Sequence, residues 1–363
     1  MTAPRRILHV FPSFAAGGAQ MRMAALANHF GTRFSHMIIA LDGDISCRDR
    51  LDPALEVSFP AISPLSGSLA RRLRDIVGVL RRTRPDLLIT SNWGAIEWAI
   101  ANRLRFRAQH IHTEDGFGRD ERDRQIPRRV LTRRVILRSS ITIVPSHTLY
   151  DTATRIWRLP VSGVTYIPNG IDFARFTPAS TPPGGRAIVG CVAALRPEKN
   201  LGRLIRACAI ARHRHEFDLI ILGDGPGRAG LEALATELGL PVRFLGAIAD
   251  PAPVYRDFTI FALSSDTEQM PLSVMEAMAS GLPVVATDVG DIAQMVAPEN
   301  RDCLTPRDDQ AMADVLGSLL GDPARIERIG RANRARAAQN FNFATMSSLW
   351  GVILTGDDDL KNS

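Results

Sequence analysis

The chain has 363 residues, 45% hydrophobic and 23% charged, with a formal net charge of +6 at pH 7. That length exceeds one ordinary core and predicts two domains, and the composition is that of a soluble globular protein. No apolar run approaches the roughly 20 residues needed to cross a bilayer, and the N-terminus MTAPRRILHVF lacks the apolar length of a secretory signal. The four cysteines, Cys47, Cys191, Cys208 and Cys303, show no metal-ligand spacing. They are expected as small core residues in a reducing cytoplasm, with no zinc site.

In chain order, strands are predicted at residues 7–11, 36–41, 87–90, 108–112, 141–145 and 164–167, and then at 187–192, 218–222, 242–245, 258–263 and 283–286. Helical stretches separate them, which predicts a doubly wound parallel α/β sheet in each half. Between the halves, TPASTPPGG (177–185) is rich in Pro, Gly and Ser and reads as a linker. The expected domains are therefore 1–176 and 177–345. A terminal helical segment, 346–363, follows.

Charge divides unevenly. Residues 1–175 carry 26 Arg against 15 acidic residues, whereas the remainder carry 18 basic against 23 acidic. The positive charge concentrates at 71–84 and 119–138. In SLARRLRDIVGVLRRTR, Leu69, Leu73, Ile76, Val77 and Leu80 recur at helical spacing, while Arg71, Arg72, Arg74, Arg81 and Arg82 crowd the other faces. Such a helix suits the surface of an anionic membrane; a sheet-covering helix with a solvated Arg face has the same pattern. No aromatic stacking surface or recognition motif accompanies the arginines, so no nucleic-acid partner is expected.

The most informative segment is SSDTEQMPLSVMEAMASGLPVVATDV (264–289). It reads strand end, polar loop, helix, turn and buried strand, with Glu268 and Glu276 eight positions apart across the helix start. Carboxyl ends of parallel strands are where such sheets bind ligands. Pro271 suits the first helical position, and Gly281 suits the stop. The free amides of that helix start favour a phosphate, and Glu276, about 7 Å further along the axis, can reach a neighbouring hydroxylated group. Both glutamates read equally well as solvated surface charges.

Two other loops have the same character. Gly17 and Gly18 follow the first strand and precede a helix, where glycine admits a ligand close to the backbone or simply makes a tight turn; G-G-A-Q is not the dinucleotide fingerprint. Arg196 and Lys199 follow the strand at 187–192, where a basic pair can neutralise two phosphates, Arg through a fork of donors and Lys as a point charge. Lys199 and Lys361 are the two lysines in the sequence, and placing one here marks this loop.

Together these pieces resemble the retaining glycosyltransferases of family 4, the group 1 type. The 264–289 segment is similar to the family's E-x7-E signature. FAAGGAQ (14–20) resembles its N-terminal glycine loop, IPNGID (167–172) its interdomain signature, and AALRPEKN (193–200) its diphosphate-holding segment. LGDGPGR (222–228) and FLGAIAD (244–250) match two further loops.

The resemblance implies the GT-B fold, two Rossmann-like parallel-sheet domains facing a central cleft, with the terminal helix crossing back to the first domain. It implies donor binding by Gly17, Gly18, Asn169, Arg196, Lys199, Gly223, Glu268, Met270, Pro271, Leu272 and Glu276. Within that set Glu268 contacts the sugar hydroxyls, Glu276 the ribose, and Arg196 and Lys199 the diphosphate. The family's strand-end His-Gly pair reads Asp115-Gly116 here, in IHTEDGFGRD, which makes Asp115 the acceptor-side catalytic group; His112 or Glu114 can share that role, and His112 reads equally well as a buried structural residue. Where the family has E-G-F-G this chain has Glu268-Gln269-Met270-Pro271, and Met270 reads better as packing than as a ligand contact.

The implied activity is retaining, hexosyltransferase-like transfer of a sugar from a nucleotide-sugar donor to a glycan or lipid-linked acceptor, in polysaccharide or glycolipid biosynthesis. The expected location is cytoplasmic, peripheral on the inner face of the membrane. No cofactor or metal is expected: Asp42-Gly43-Asp44 has a metal-holding spacing but lies far from the donor half. A sugar-nucleotide isomerase of 2-epimerase type, and a catalytically silent binding relative, are the alternatives on the same fold.

Overall fold

The computed structural model describes residues 4–117, 119–121, 124–179 and 185–356. The chain divides into two compact units, which within the described residues are 4–167 with 349–356, and 168–348. The expected boundary at 176/177 is therefore replaced by one at 167/168. The reason is local: Ile171 donates to Phe341 O at 2.7 Å and accepts from the Phe343 amide at 3.1 Å. Ile171 and Phe176 then bury with Met275 and Ala337 in the second unit's core. Most of the expected 177–185 linker, residues 180–184, lies outside the described residues. The terminal helix is Phe343–Thr355 rather than one beginning at 346, and its residues from Leu349 belong to the first unit, where Arg5 donates to Leu354 O. Residues 357–363 of the expected terminal segment lie outside the described residues.

The first unit holds seven strands: β1 (Arg5–Phe11), β2 (Phe34–Ala40), β3 (Val57–Ser58), β4 (Leu87–Ser91), β5 (Gln109–Thr113), β6 (Ile141–Val144) and β7 (Val164–Tyr166). They pair in parallel in the order β3-β2-β1-β4-β5-β6-β7. The second unit holds β8 (Ala187–Val192), β9 (Phe217–Leu222), β10 (Val242–Gly246), β11 (Ile260–Leu263), β12 (Val284–Thr287) and β13 (Leu304–Thr305), parallel in the order β10-β9-β8-β11-β12-β13. In each sheet the order reverses once, between β1 and β4 and between β8 and β11. A crevice at the carboxyl ends of those strands is where a doubly wound sheet takes its ligand.

Successive strand residues point to opposite faces, so each sheet needs a layer on both sides. In the second unit Val189, Cys191, Leu219 and Ile221 pack on the helices Leu201–Ala211 and Asp309–Leu320. Ile220, Phe261 and Val284 pack on the other face with Met275 and Met278 of the helix Leu272–Ala279. All four cysteines are buried.

Two helical expectations are corrected. Pro271 precedes the helix as its cap, with an extended ψ of 122°, and Leu272 is the first helical residue; the stop at Gly281, with φ +74°, is as expected. In the basic helix Leu69–Thr83, Ile76, Val77, Val79 and Leu80 face the core, but Leu69 stands 48% exposed because it is the first residue after the Ser68 cap, before the helix reaches the sheet.

Candidate active site

Of the residues expected on the donor side, Arg196, Lys199, Glu268 and Glu276 lie at the strand-order reversal of the second unit, whereas Gly17 and Gly18 belong to the first unit. Beyond β8 the chain enters the short turn Pro197–Lys199, and beyond β11 it enters the loop 264–271. Lys199 Nζ donates to Glu268 Oε1 at 2.5 Å, and Ser265 Oγ donates to the same oxygen at 2.6 Å. Side-chain exposures are 23% for Lys199 and 8% for Glu268, so the pair is largely withdrawn from water. The two loops are stapled beneath it. Arg203 donates to Ser264 O and Asp266 Oδ1, both at 2.8 Å, and the Asp266 amide donates to Glu198 O at 2.8 Å. Burial pushes the Asp266 carboxyl up, but hydrogen bonds from Arg203 and Asn200 outweigh it and hold it below the ordinary range.

Two glycines let these loops approach. Gly223 has φ +139°, and a Cβ there would lie 1.9 Å from Ala193 O; this seats the 223–227 loop on the chain leaving β8. Gly290 has φ +59°, and its Cβ would lie 2.2 Å from Glu268 O. The Asp291 amide then donates to Gln269 O at 3.0 Å, bracing the loop that carries Glu268.

Glu276 sits in the helix Leu272–Ala279, whose start carries no side-chain cap. Tyr255 donates its hydroxyl to Glu276 Oε2 at 2.7 Å. Burial raises the Glu276 carboxyl above its ordinary value, against the opposing pull of that hydrogen bond and of nearby Arg175. Burial also drives the Tyr255 phenol well up, with the Glu276 charge adding to it. Arg196 is exposed on the turn, and Leu272 is half-buried. Asn169 is 5% exposed at the start of the unit. Met270 is buried among Met275 and Val289, so its side chain packs, as its context suggested.

In the first unit Gly17 caps the helix Gly18–Phe30 in extended conformation, φ −157°, and Gly18 opens it. Asp115 follows β5. Arg22 grips it with two parallel hydrogen bonds, Nη1 to Oδ1 at 2.6 Å and Nη2 to Oδ2 at 2.9 Å, and the Asp115 amide donates to Asn92 Oδ1 at 2.8 Å. The Arg22 guanidinium lies 5.8 Å from the Trp350 ring centre.

His112 lies in the interior, the second of its two expected readings. It is fully buried, its Nδ1 lies 2.9 Å from Thr90 Oγ1, and its Nε2 faces the equally buried Glu114 at 3.7 Å. Part of the basic segment at 119–138 is interior too. Arg133, 1% exposed, donates to both oxygens of Glu121 at 3.0 Å and lies 3.3 Å from Glu114. Its guanidinium stacks 4.7 Å from the Trp157 ring centre and 4.9 Å from that of Trp93.

Sequence reasoning missed Arg22, Tyr255, Ser265 and Gly290. Ser265 lay inside the 264–289 segment and Gly290 directly after it. Arg22 and Tyr255 carried no local signal, because their partners stand 93 and 21 positions away.

Two parallel Rossmann-like units with ligand-type loops at the reversals define the GT-B class of fold. Solved structures agree: sucrose-phosphate synthase from Thermosynechococcus elongatus superposes with TM-score 0.82 at 22% identity, covering 97% of this chain and 98% of that one. HepE from Anabaena, in complex with UDP and glucose, gives 0.82 at 22%, covering 97% and 99%. Sequence models of the family match in both halves, "Glycosyltransferase Family 4" over residues 16–175 and "Glycosyl transferases group 1" over 186–322. The chain belongs to the group 1, family 4 glycosyltransferases. Similar proteins include a GDP-mannose-dependent alpha-mannosyltransferase of Mycolicibacterium smegmatis, 33% identical over 61% of this chain and 56% of the relative. A GDP-mannose-dependent monoacylated alpha-(1-6)-phosphatidylinositol monomannoside mannosyltransferase of Corynebacterium glutamicum is 29% identical over 53% and 56%. The match thus spans a little over half the length of these curated relatives. Among the described residues no helix is long and apolar enough to cross a membrane, and no group of three or more His, Cys, Asp or Glu side chains gathers as a metal site.

Proposed function

We propose that the chain transfers a sugar, with retention, from a nucleotide-sugar donor to a glycan or lipid-linked acceptor. The observation that carries this reading is the Lys199–Glu268 contact at 2.5 Å, with Glu276 one helix turn and a loop away on the same strand-order reversal. In the proposed reaction the bond from the anomeric carbon to the diphosphate oxygen breaks, and an acceptor hydroxyl oxygen bonds to that carbon. The diphosphate leaves with the bonding electrons, and Arg196 and Lys199 stabilise the charge it gains. Glu268 accepts from sugar hydroxyls with the oxygen that Lys199 leaves open, and Glu276 accepts from the ribose. Asp115, oriented by Arg22, is the acceptor-side group that takes the hydroxyl proton. The chemistry is proposed to need no metal.

The names of the relatives make GDP-mannose the first donor to try and a glycolipid the first acceptor. We propose the inner face of an anionic membrane as the place of reaction. Support comes from the helix Leu69–Thr83, where Arg71, Arg74, Arg81 and Arg82 are exposed while Arg72 is held by Glu97 at 2.6 Å. The test is incubation of the chain with radiolabelled GDP-mannose and anionic lipid extract, with and without a chelator. Label in a lipid or glycan product, insensitive to the chelator, supports the reading. Labelled donor consumed to an isomer without acceptor overturns it in favour of epimerase chemistry.

A further inference from the structure

A second pocket lies at the opposite end of the first unit's sheet from Asp115. The amino ends of β5, β6 and β7 border an open depression of about 800 Å³. That volume falls within the range of small-molecule sites. The five residues of β5, at about 3.3 Å each, separate it from the Asp115 loop, so it belongs to neither donor nor acceptor chemistry.

Its wall carries Arg103, Arg107 and Arg138, with the hydroxyls of Ser139 and Ser162, and no acidic side chain. Arg103 donates to Ser139 Oγ. Elsewhere in the same unit Arg72, Arg129 and Arg133 each meet a carboxylate, whereas among the described residues none pairs with Arg103, Arg107 or Arg138. Arg107 is also held in left-handed backbone, φ +66°, where asparagine or glycine is the less strained choice. Three guanidinium groups sharing one wall repel each other, and a multivalent anion removes that repulsion. Guanidinium forks and hydroxyls are the donors that match phosphate oxygens.

We propose that this pocket binds a phosphate group, separately from the donor site. The same chemistry is offered by a lipid headgroup and by a soluble phosphate ester. The test is calorimetric titration of the full chain with inorganic pyrophosphate, comparing wild type, Arg107→Asn/Arg138→Gln and Lys199→Ala; asparagine keeps the left-handed backbone of position 107. Two sites are expected in the wild type. One is weakened about tenfold or more in the double variant, while the other is retained there and weakened by Lys199→Ala. Retention of the second site shows that the double variant is folded. Unchanged pyrophosphate binding in the double variant overturns the proposal. Flotation with phosphatidylcholine vesicles, with and without phosphatidylglycerol, separates the sources. A parallel loss of vesicle binding in the double variant assigns a lipid headgroup; vesicle binding unchanged beside a weakened pyrophosphate site assigns a soluble ester.

Discussion

Lys199 and Glu268, 69 positions apart, meet at 2.5 Å because β8 and β11 are neighbours where the strand order of the second sheet reverses. The contact orients both side chains, and in the proposed function the ammonium serves a diphosphate while the other Glu268 oxygen is left for a sugar. Replacing Lys199 removes a charge-assisted donor from a largely buried pair. Lys199→Ala is expected to weaken donor binding by about 1.5–3 kcal/mol, roughly tenfold to 150-fold. Calorimetry on the variant checks this, and an unchanged affinity removes Lys199 from the donor site.

Glu276 predicts a pH dependence. Its folded carboxyl lies above the ordinary 4.5 because burial disfavours the charge. The stability it contributes is fully present below the unfolded value and is lost as pH rises through the folded one. In the proposed role ribose hydroxyls donate more strongly to the ionised form, so donor affinity is expected to move the other way, falling as pH drops through the raised value. Glu276→Gln is expected to flatten both trends in that window, measured as melting temperature and donor Kd between about pH 4 and 7. Tyr255→Phe removes a bond that favours the ionised carboxylate, and is expected to shift the affinity transition to higher pH.

Gly290→Ala puts a Cβ 2.2 Å from Glu268 O at φ +59°. The backbone strain alone costs about 1–3 kcal/mol, and relief displaces the loop bearing Glu268. Lower stability and weaker donor binding are expected together. Gly239→Ala is the control: φ is +60° with nothing within 4 Å, so a melting-temperature loss with unchanged donor affinity is expected there.

Arg133→Met leaves Glu114 buried without a guanidinium and Glu121 with Arg129 alone, 3.1 Å from its Oε2. Breaking such a pair from one side costs about 3–5 kcal/mol. Denaturant unfolding is expected to show that loss, with partial recovery on adding Glu114→Gln. A stability change under about 1 kcal/mol would contradict the pairing of Arg133 with the two carboxylates as a source of stability.

The strands were legible because buried parallel strands are short apolar runs bounded by turns. All eleven predicted strands form, while β3 and β13 escaped because two residues make no run. The E-x7-E segment was legible because both carboxylates, the helix start and the stopping Gly281 lie within one local stretch. The contacts of Arg22 with Asp115 and of Tyr255 with Glu276 were not, since tertiary packing sets them and no periodicity encodes the partner. The interior placement of Arg133 was hidden for a related reason. A basic run reads as solvated, and only three surrounding rings and two carboxylates, drawn from four segments, make burial tolerable. The boundary at 167/168 was missed because a Pro-rich stretch signals a break in regular structure, whereas the unit is defined by the pairing of Ile171 with Phe341.

The central claim is that the reversal between β8 and β11 holds a nucleotide sugar. The most direct measurement is calorimetric binding of GDP-, UDP- and ADP-sugars, GDP-mannose first, to wild type and to Glu276→Ala. One nucleotide sugar is expected to bind, and its binding to be lost in the variant. Absence of binding across the panel, or equal binding by the variant, would contradict it.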